Sequence, residues 1–356
     1  MKKSLFYFFA MLLALNFSSC GSDDDEGDGT PPEDTSWKAI AGVYDSDKLN
    51  MTFNGQEVSG QSVTVEAVSA EKATATLKGV IPGADEVKID LVMAQSTKSE
   101  AVVANYQLEG SAAIEGSRTV SAKGNVKGGV LTLSIDIKVD SPLVGKWGLA
   151  PYVESDVNGD GIINADDYNV MGGGFFLSLA TADGNVTFGG ETVPDYQFCM
   201  AADQKAEGFL NASLQEISFL ENGNIVATYN KDGKTTTSPE GLAGYYVKDN
   251  MVYITLDIMK VIGMLQGKST EKNPLEGLMA LAKNGIPLVL DIEDGTCSIL
   301  VNNTLAASLG TQLTPLLALL PTLMPGKEEM IGEIGKLLPL IMADKDFMVG
   351  INLVKK

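Results

Sequence analysis

Six segments succeed one another between residues 61 and 139: QSVTVEAV, KATATLKG, VKIDLVMA, VVANYQLEG, RTVSAKGN and VLTLSIDIKV. In places their apolar side chains occupy every second position, and turn residues mark their ends: NG before the first, PG and KGG between segments, and GN closing RTVSAKGN. A period of two places alternate side chains on opposite faces of a strand, so one face enters a core while the other meets water. Helical periodicity is poor over the same stretch. Short strands at this spacing predict an antiparallel β-sandwich or open barrel for residues 37–140.

DSPL, Asp140 to Leu143, reads as a hinge, after which the chain starts afresh over 143–356. EISFLENGNIVATYNKDG and AGYYVKDNMVYITLDI read as hairpins, with ENGN and KDN between aromatic and β-branched strands. AGVYDSDKLNMTFNG, from Ala41, is similar to AGYYVKDNMVYITLD, from Ala243, as a repeated hairpin would be. Segments near 261–266, 274–283, 313–324 and 328–342 carry Leu, Met and Ala at helical density, whereas IPLVLDI and FMVGINLV read as returning strands. GKW, Gly145 to Trp147, resembles the G-x-W that opens the first strand of lipocalins and their calycin relatives. The resemblance implies a calycin-like β-barrel with inserted apolar helices, so the chain as a whole is expected to be mainly β with added helices. Met259, Met264, Met279, Met324, Met330 and Met342 have two readings: core, or an adaptable lid lining an apolar ligand pocket.

Lys2 and Lys3 precede the apolar run LFYFFAMLLALNF, which is too short to span a bilayer but matches the central part of a secretory signal. The run ends in FSSC, which resembles a lipobox with Phe17 in the place of the usual Leu. That likeness implies removal of residues 1–19 and lipidation of Cys20. GSDDDEGDG follows at once, similar to the export signal of Bacteroidetes-type surface lipoproteins, which implies the outer membrane facing the cell exterior. Residues 20–36 read as an acidic disordered tether of roughly 50 Å reach.

The formal net charge is −20 over 356 residues, which argues against nucleic acid and anionic lipid as partners. There is no histidine, and Arg118 is the single arginine. Ser-His-Asp and Cys-His arrangements are thereby excluded, and so are imidazole metal ligands. Of the three cysteines, Cys199 and Cys297 lie in apolar strings and are expected to be unpaired.

DVNGDGIINADD offers oxygens at the spacing an EF-hand-type loop requires, from Asp156, Asn158, Asp160, the Ile162 carbonyl, Asn164 and Asp167, with Gly161 at the turn. Asn at the ninth position and Asp at the twelfth make it similar to a dockerin calcium repeat. Dockerins carry two such repeats, and this chain has one. One structural Ca²⁺ is therefore expected here. The whole reads as a non-enzymatic, lipid-anchored surface protein that binds an extracellular ligand, a glycan or an apolar small molecule. Its rivals are a carboxylate-dependent polysaccharide hydrolase and a purely structural or adhesive protein.

Overall fold

The computed structural model describes residues 35–95, 105–151, 173–231, 233–257, 260, 285–308 and 328–356. Cys20, the 156–167 loop, Met259, Met264, Met279, Met324 and the three apolar segments between 261 and 324 lie outside them. The protein is mainly β, with an open, curled sheet followed by a closed eight-stranded antiparallel barrel. Residues Ser36–Lys356 form one compact unit.

The first sheet contains β1 (Gly42–Asp45), β2 (Leu49–Phe53), β3 (Gln56–Val58), β4 (Ser62–Ser69), β5 (Lys72–Lys78), β6 (Glu86–Gln95), β7 (Tyr106–Ile114), β8 (Arg118–Lys127) and β9 (Val130–Val139). Its order is β1-β4-β5-β6-β7-β8-β9-β2-β3. β1 and β2 are joined through Ser46–Lys48 alone, yet they stand seven strand steps apart in that order. A flat sheet would separate them by about 34 Å. The link can reach only about 15 Å. The sheet must therefore curl until its ends approach, which gives an open barrel and not a two-sheet sandwich. The alternation carries the curl: Val87, Ile89, Leu91 and Met93 on β6 and Leu131, Leu133, Ile135 and Ile137 on β9 are buried, with their neighbours turned outward. Each fully buried aliphatic side chain contributes roughly 1.5–3 kcal/mol.

The likeness between the stretches from Ala41 and Ala243 does not reflect a repeated hairpin. β1 pairs with β4, and β2 pairs with β3 and, in parallel, with β9. Only the later stretch folds back on itself.

The chain passes from the first sheet to the barrel between Val139 and Gly145. The barrel strands are β10 (Gly145–Leu149), β14 (Leu214–Phe219), β15 (Asn224–Lys231), β17 (Ala243–Lys248), β18 (Met251–Leu256), β19 (Ile286–Glu293), β20 (Thr296–Asn302) and β21 (Met348–Lys355). Each pairs with the next in that order, and β21 closes on β10, the up-and-down closure that removes sheet edges. β16 (Lys234–Thr237) hangs on β15; β11 (Phe175–Ser178) extends from β21, and β12 (Asn185–Phe188) with β13 (Glu191–Pro194) forms a separate hairpin. The β17–β18 turn, Asp249–Asn250, has both φ values positive at 52° and 58°, the two-residue form that suits strand twist.

Register fixes which residues look inward. Trp147 lies opposite Ile217, Tyr245 opposite Ile254, Leu290 opposite Ile299, and Cys297 opposite Leu353. This apolar inner face belongs to the same continuous core as the first sheet. Trp147 is fully buried and its Nε1 donates to Leu143 O at 2.8 Å, so GKW ties the start of the barrel to the hinge.

Among the described residues the two longest helices pack outside the barrel: α1 (Asp195–Ser213) and α2 (Glu328–Ala343), the latter with Pro339 inside it. They help enclose a second apolar cluster that includes Leu179, Val186, Cys199, Leu337 and Phe347. α1 has no counterpart in the sequence reading, because its face toward the protein is not an apolar stripe: the acids Asp203 and Glu207 are buried on it beside Cys199. Met330 falls on α2, and Met342, near its end, is 48% exposed. Among the described residues no helix is long and apolar enough to cross a membrane.

Candidate functional site

The first sheet is fixed to one end of the barrel by contacts that the sequence scatters over some two hundred residues. Asn54, in the β2–β3 turn, donates through Nδ2 to Asn222 O at 2.8 Å and accepts from the Ile137 amide at 3.0 Å. The Val139 amide donates to Glu221 O at 2.7 Å. Arg118, only 3% exposed, donates from Nε to Glu115 O at 3.0 Å and from Nη1 to Pro82 O at 2.7 Å. Its guanidinium carbon stands 4.6 Å from the centre of the Tyr246 ring, which stacks on Tyr253 at 4.6 Å and 3°. Burial pulls the Arg118 pKa below the ordinary arginine value, opposed by the charges of Tyr246 and Glu115. Lys248 takes the Glu115 carboxylate at 2.6 Å and holds its pKa down.

Tyr245 and Tyr246 point to opposite faces, as adjacent strand residues must, and both are 4% exposed. Tyr245 looks into the barrel, meeting Phe219 edge-on at 5.1 Å and donating to Leu220 O. Burial raises its pKa well above the usual tyrosine value. Tyr246 faces outward and is covered by the first sheet: a methyl group on Gly83 would lie 2.3 Å from its ring. Neither tyrosine is an exposed sugar platform.

Where the sheet meets the barrel mouth a cleft of about 300 Å³ remains. Phe53 and Val58 from the first hairpin, Ile137, and the inner-face residues Ala243, Tyr245 and Leu256 make most of its wall apolar. Polar groups are few. Arg118 stands in one wall, Glu57 is exposed at the rim, and Asp257 is engaged by Lys260, whose amide donates to it at 3.0 Å and whose Nζ lies 3.5 Å away. A small concave apolar space with a few fixed polar groups is the usual form of a small-molecule site. The cleft was not legible in the sequence, since its walls come from seven separated stretches with no shared period. The one available signal was Arg118 itself, the sole arginine, at the end of a tight EGSR turn.

The expected metal loop spans residues outside those described, but the strands it connects are well fixed. The Ala150 amide donates to Asn352 O at 2.9 Å, the Asn352 amide to Gly174 O at 3.0 Å, and Asn352 Nδ2 to Gly173 O at 2.9 Å. One residue of β21 thus holds Ala150 on one side of residues 152–172 and Gly173 and Gly174 on the other. Buried Glu207 adds to this by accepting from the Gly174 and Phe175 amides. Among the described residues no group of three or more acids or cysteines is placed to hold a metal ion. Cys199 and Cys297 are buried free thiols, each with its pKa pushed up to about 12 by burial.

No family model matches the chain, and comparisons with curated proteins and with solved structures return no match. The functional reading therefore rests on the residues and their geometry.

Proposed function

We propose that this protein is a non-enzymatic, lipid-anchored surface protein that captures a small extracellular ligand in the cleft between its first sheet and its barrel. The observation that carries the reading is the cleft itself: about 300 Å³, apolar for most of its wall, and braced by the Asn54 and Arg118 contacts. A rigid site of this kind loses little entropy on binding. The test is titration with the neutral fluorophore N-phenyl-1-naphthylamine. Saturable binding at one equivalent, abolished when Leu256→Arg blocks the mouth, supports the reading; no saturable binding, or binding indifferent to Leu256→Arg, defeats it.

Anchoring would be supplied by Cys20, with the acidic tether carrying the folded unit away from the outer membrane. Labelled palmitate incorporated by the parent chain and lost in Cys20→Ser is the expected result, and protease access on intact cells checks the outward face. The loop from Asp156 to Asp167 would hold one Ca²⁺ as a clamp on the segment between Ala150 and Gly173, both of which Asn352 holds. Asp at the twelfth position reaches less far than Glu, so a dissociation constant on the order of 10⁻⁴–10⁻³ M is expected. Calorimetry should find about one equivalent, abolished by Asp160→Ala, with a rise in Tm in calcium; no heat at millimolar calcium would reduce the motif to an acidic turn.

A further inference from the structure

Arg118 is buried with no carboxylate paired directly to it among the described residues, Glu115 acting on it only at a distance. It is the chain's one arginine and is 97% withdrawn from solvent, and among the described residues no carboxylate lies within 4 Å of it. The nearest candidate in sequence, Glu115, is mostly exposed and held by Lys248. Withdrawing a cation from water is costly unless an anion and a full set of acceptors are found. The guanidinium has five N–H donors. Two go to carbonyl oxygens, Glu115 O and Pro82 O. Among the described residues Nη2 has no protein acceptor, yet it is not one of the sealed, unpartnered polar atoms. Arg118 lines the cleft.

We propose that this guanidinium reads a carboxylate, and that the cleft takes a small amphipathic monocarboxylate with its head on Arg118 and its apolar body against Phe53, Val58 and Leu256. The proposal rests on the cleft being a binding site. Stacking on Tyr246 and the two carbonyl bonds hold the guanidinium plane still, which suits the planar, two-point recognition of a carboxylate. Charge favours one negative group: Lys260 and Asp257 offset each other, leaving the single positive charge of Arg118 deep in the wall and Glu57 out at the rim. The apolar remainder of the wall fits a hydrocarbon or aryl body better than a sugar ring bearing hydroxyls that would go unpaired.

The experiment compares 4-phenylbutyrate with 4-phenylbutan-1-ol, which differ in the head group alone, on the unlipidated chain of residues 21–356. Because Arg118 is the only arginine, its Nε–H gives one side-chain resonance in a nitrogen-15 spectrum and reports the site without a mutation. The expected result is saturable binding of the acid about tenfold or more tighter than the alcohol, with the Arg118 Nε–H resonance moving along the titration. Arg118→Lys should remove most of that preference while leaving the binding of the alcohol in place. Equal binding of acid and alcohol, or acid binding that leaves the Arg118 resonance still, overturns the carboxylate assignment and leaves the cleft as a neutral site. Failure of both compounds, together with failure of N-phenyl-1-naphthylamine, overturns the cleft reading as well.

Discussion

Replacing Asn54 tests how firmly the first sheet is tied to the barrel. Its side chain makes one bond across the joint, to Asn222 O at 2.8 Å, and one within the first sheet, from the Ile137 amide at 3.0 Å, both partly buried. A net hydrogen bond of this kind is worth about 1 kcal/mol. Asn54 also sits at φ 48° in the Asn-Gly turn between β2 and β3. A residue with a plain Cβ in that left-handed region loses about 1 kcal/mol relative to one that tolerates it. Asn54→Ala should therefore cost about 3 kcal/mol, whereas Asn54→Gly, which removes the same two bonds but accepts the φ, should cost about 2 kcal/mol. Urea unfolding followed by fluorescence of Trp37 and Trp147, one in each sheet's part of the core, provides the assay. A fall in midpoint at constant slope reads as stability. Separate transitions for the two tryptophans in the variant would show that the joint alone made the unit cooperative. Costs below about 1 kcal/mol for both variants, or a glycine variant no better than the alanine one, would refute the reasoning.

The close approach of the two sheets makes a second prediction. A Cβ on Gly116 would lie 2.1 Å from Val247 O, a backbone atom that cannot swing aside, and φ there is +77°. Gly116→Ala should lower Tm strongly and cost more than about 3 kcal/mol, and an unchanged melt would show that the sheets are not held this close. The thiols should be inert: with pKa values of about 12, Cys199 and Cys297 should resist iodoacetamide at pH 8 in the native protein and react once it is unfolded. The same shifts have a sign for stability. Above pH 9 the unfolded thiols ionise while the native ones keep their protons, so stability should fall as pH rises from 9 to 12, by up to about 1.4 kcal/mol per pH unit for each thiol. A stability curve flat over that range would contradict the burial. Glu207→Gln should loosen the return of the 152–172 segment, seen as faster hydrogen exchange at the Gly174 and Phe175 amides; unchanged exchange there would mean that Asn352 holds the segment unaided.

Much of the fold is written locally. The alternation in VKIDLVMA and VLTLSIDIKV fixes which face of β6 and β9 is buried, because a strand's side-chain period is two wherever the strand lies. ENGN and KDN mark their turns for a similar reason, as positive φ is a property of a few residues and not of their surroundings. GKW, IPLVLDI and FMVGINLV fall on β10, β19 and β21. α1 was not legible, since it buries Asp203 and Glu207 toward the protein and so lacks the apolar stripe by which a helix is read. The likeness of the stretches from Ala41 and Ala243 misled for a related reason: a short strand's composition does not name its partner, and β1 and β2 found theirs far away.

By itself the sequence determined the strands and the chemistry available to them: no imidazole, one guanidinium and an excess of acids. These are properties of residues and their immediate neighbours, and they survive any arrangement of the chain. Only the tertiary structure decided that nine strands curl into an open barrel, that eight more close completely, and that the end of one abuts the mouth of the other. The cleft belongs to that second class. Phe53, Arg118, Ile137 and Leu256 meet there because long-range pairing brings them together, and no local pattern records a partner two hundred residues away.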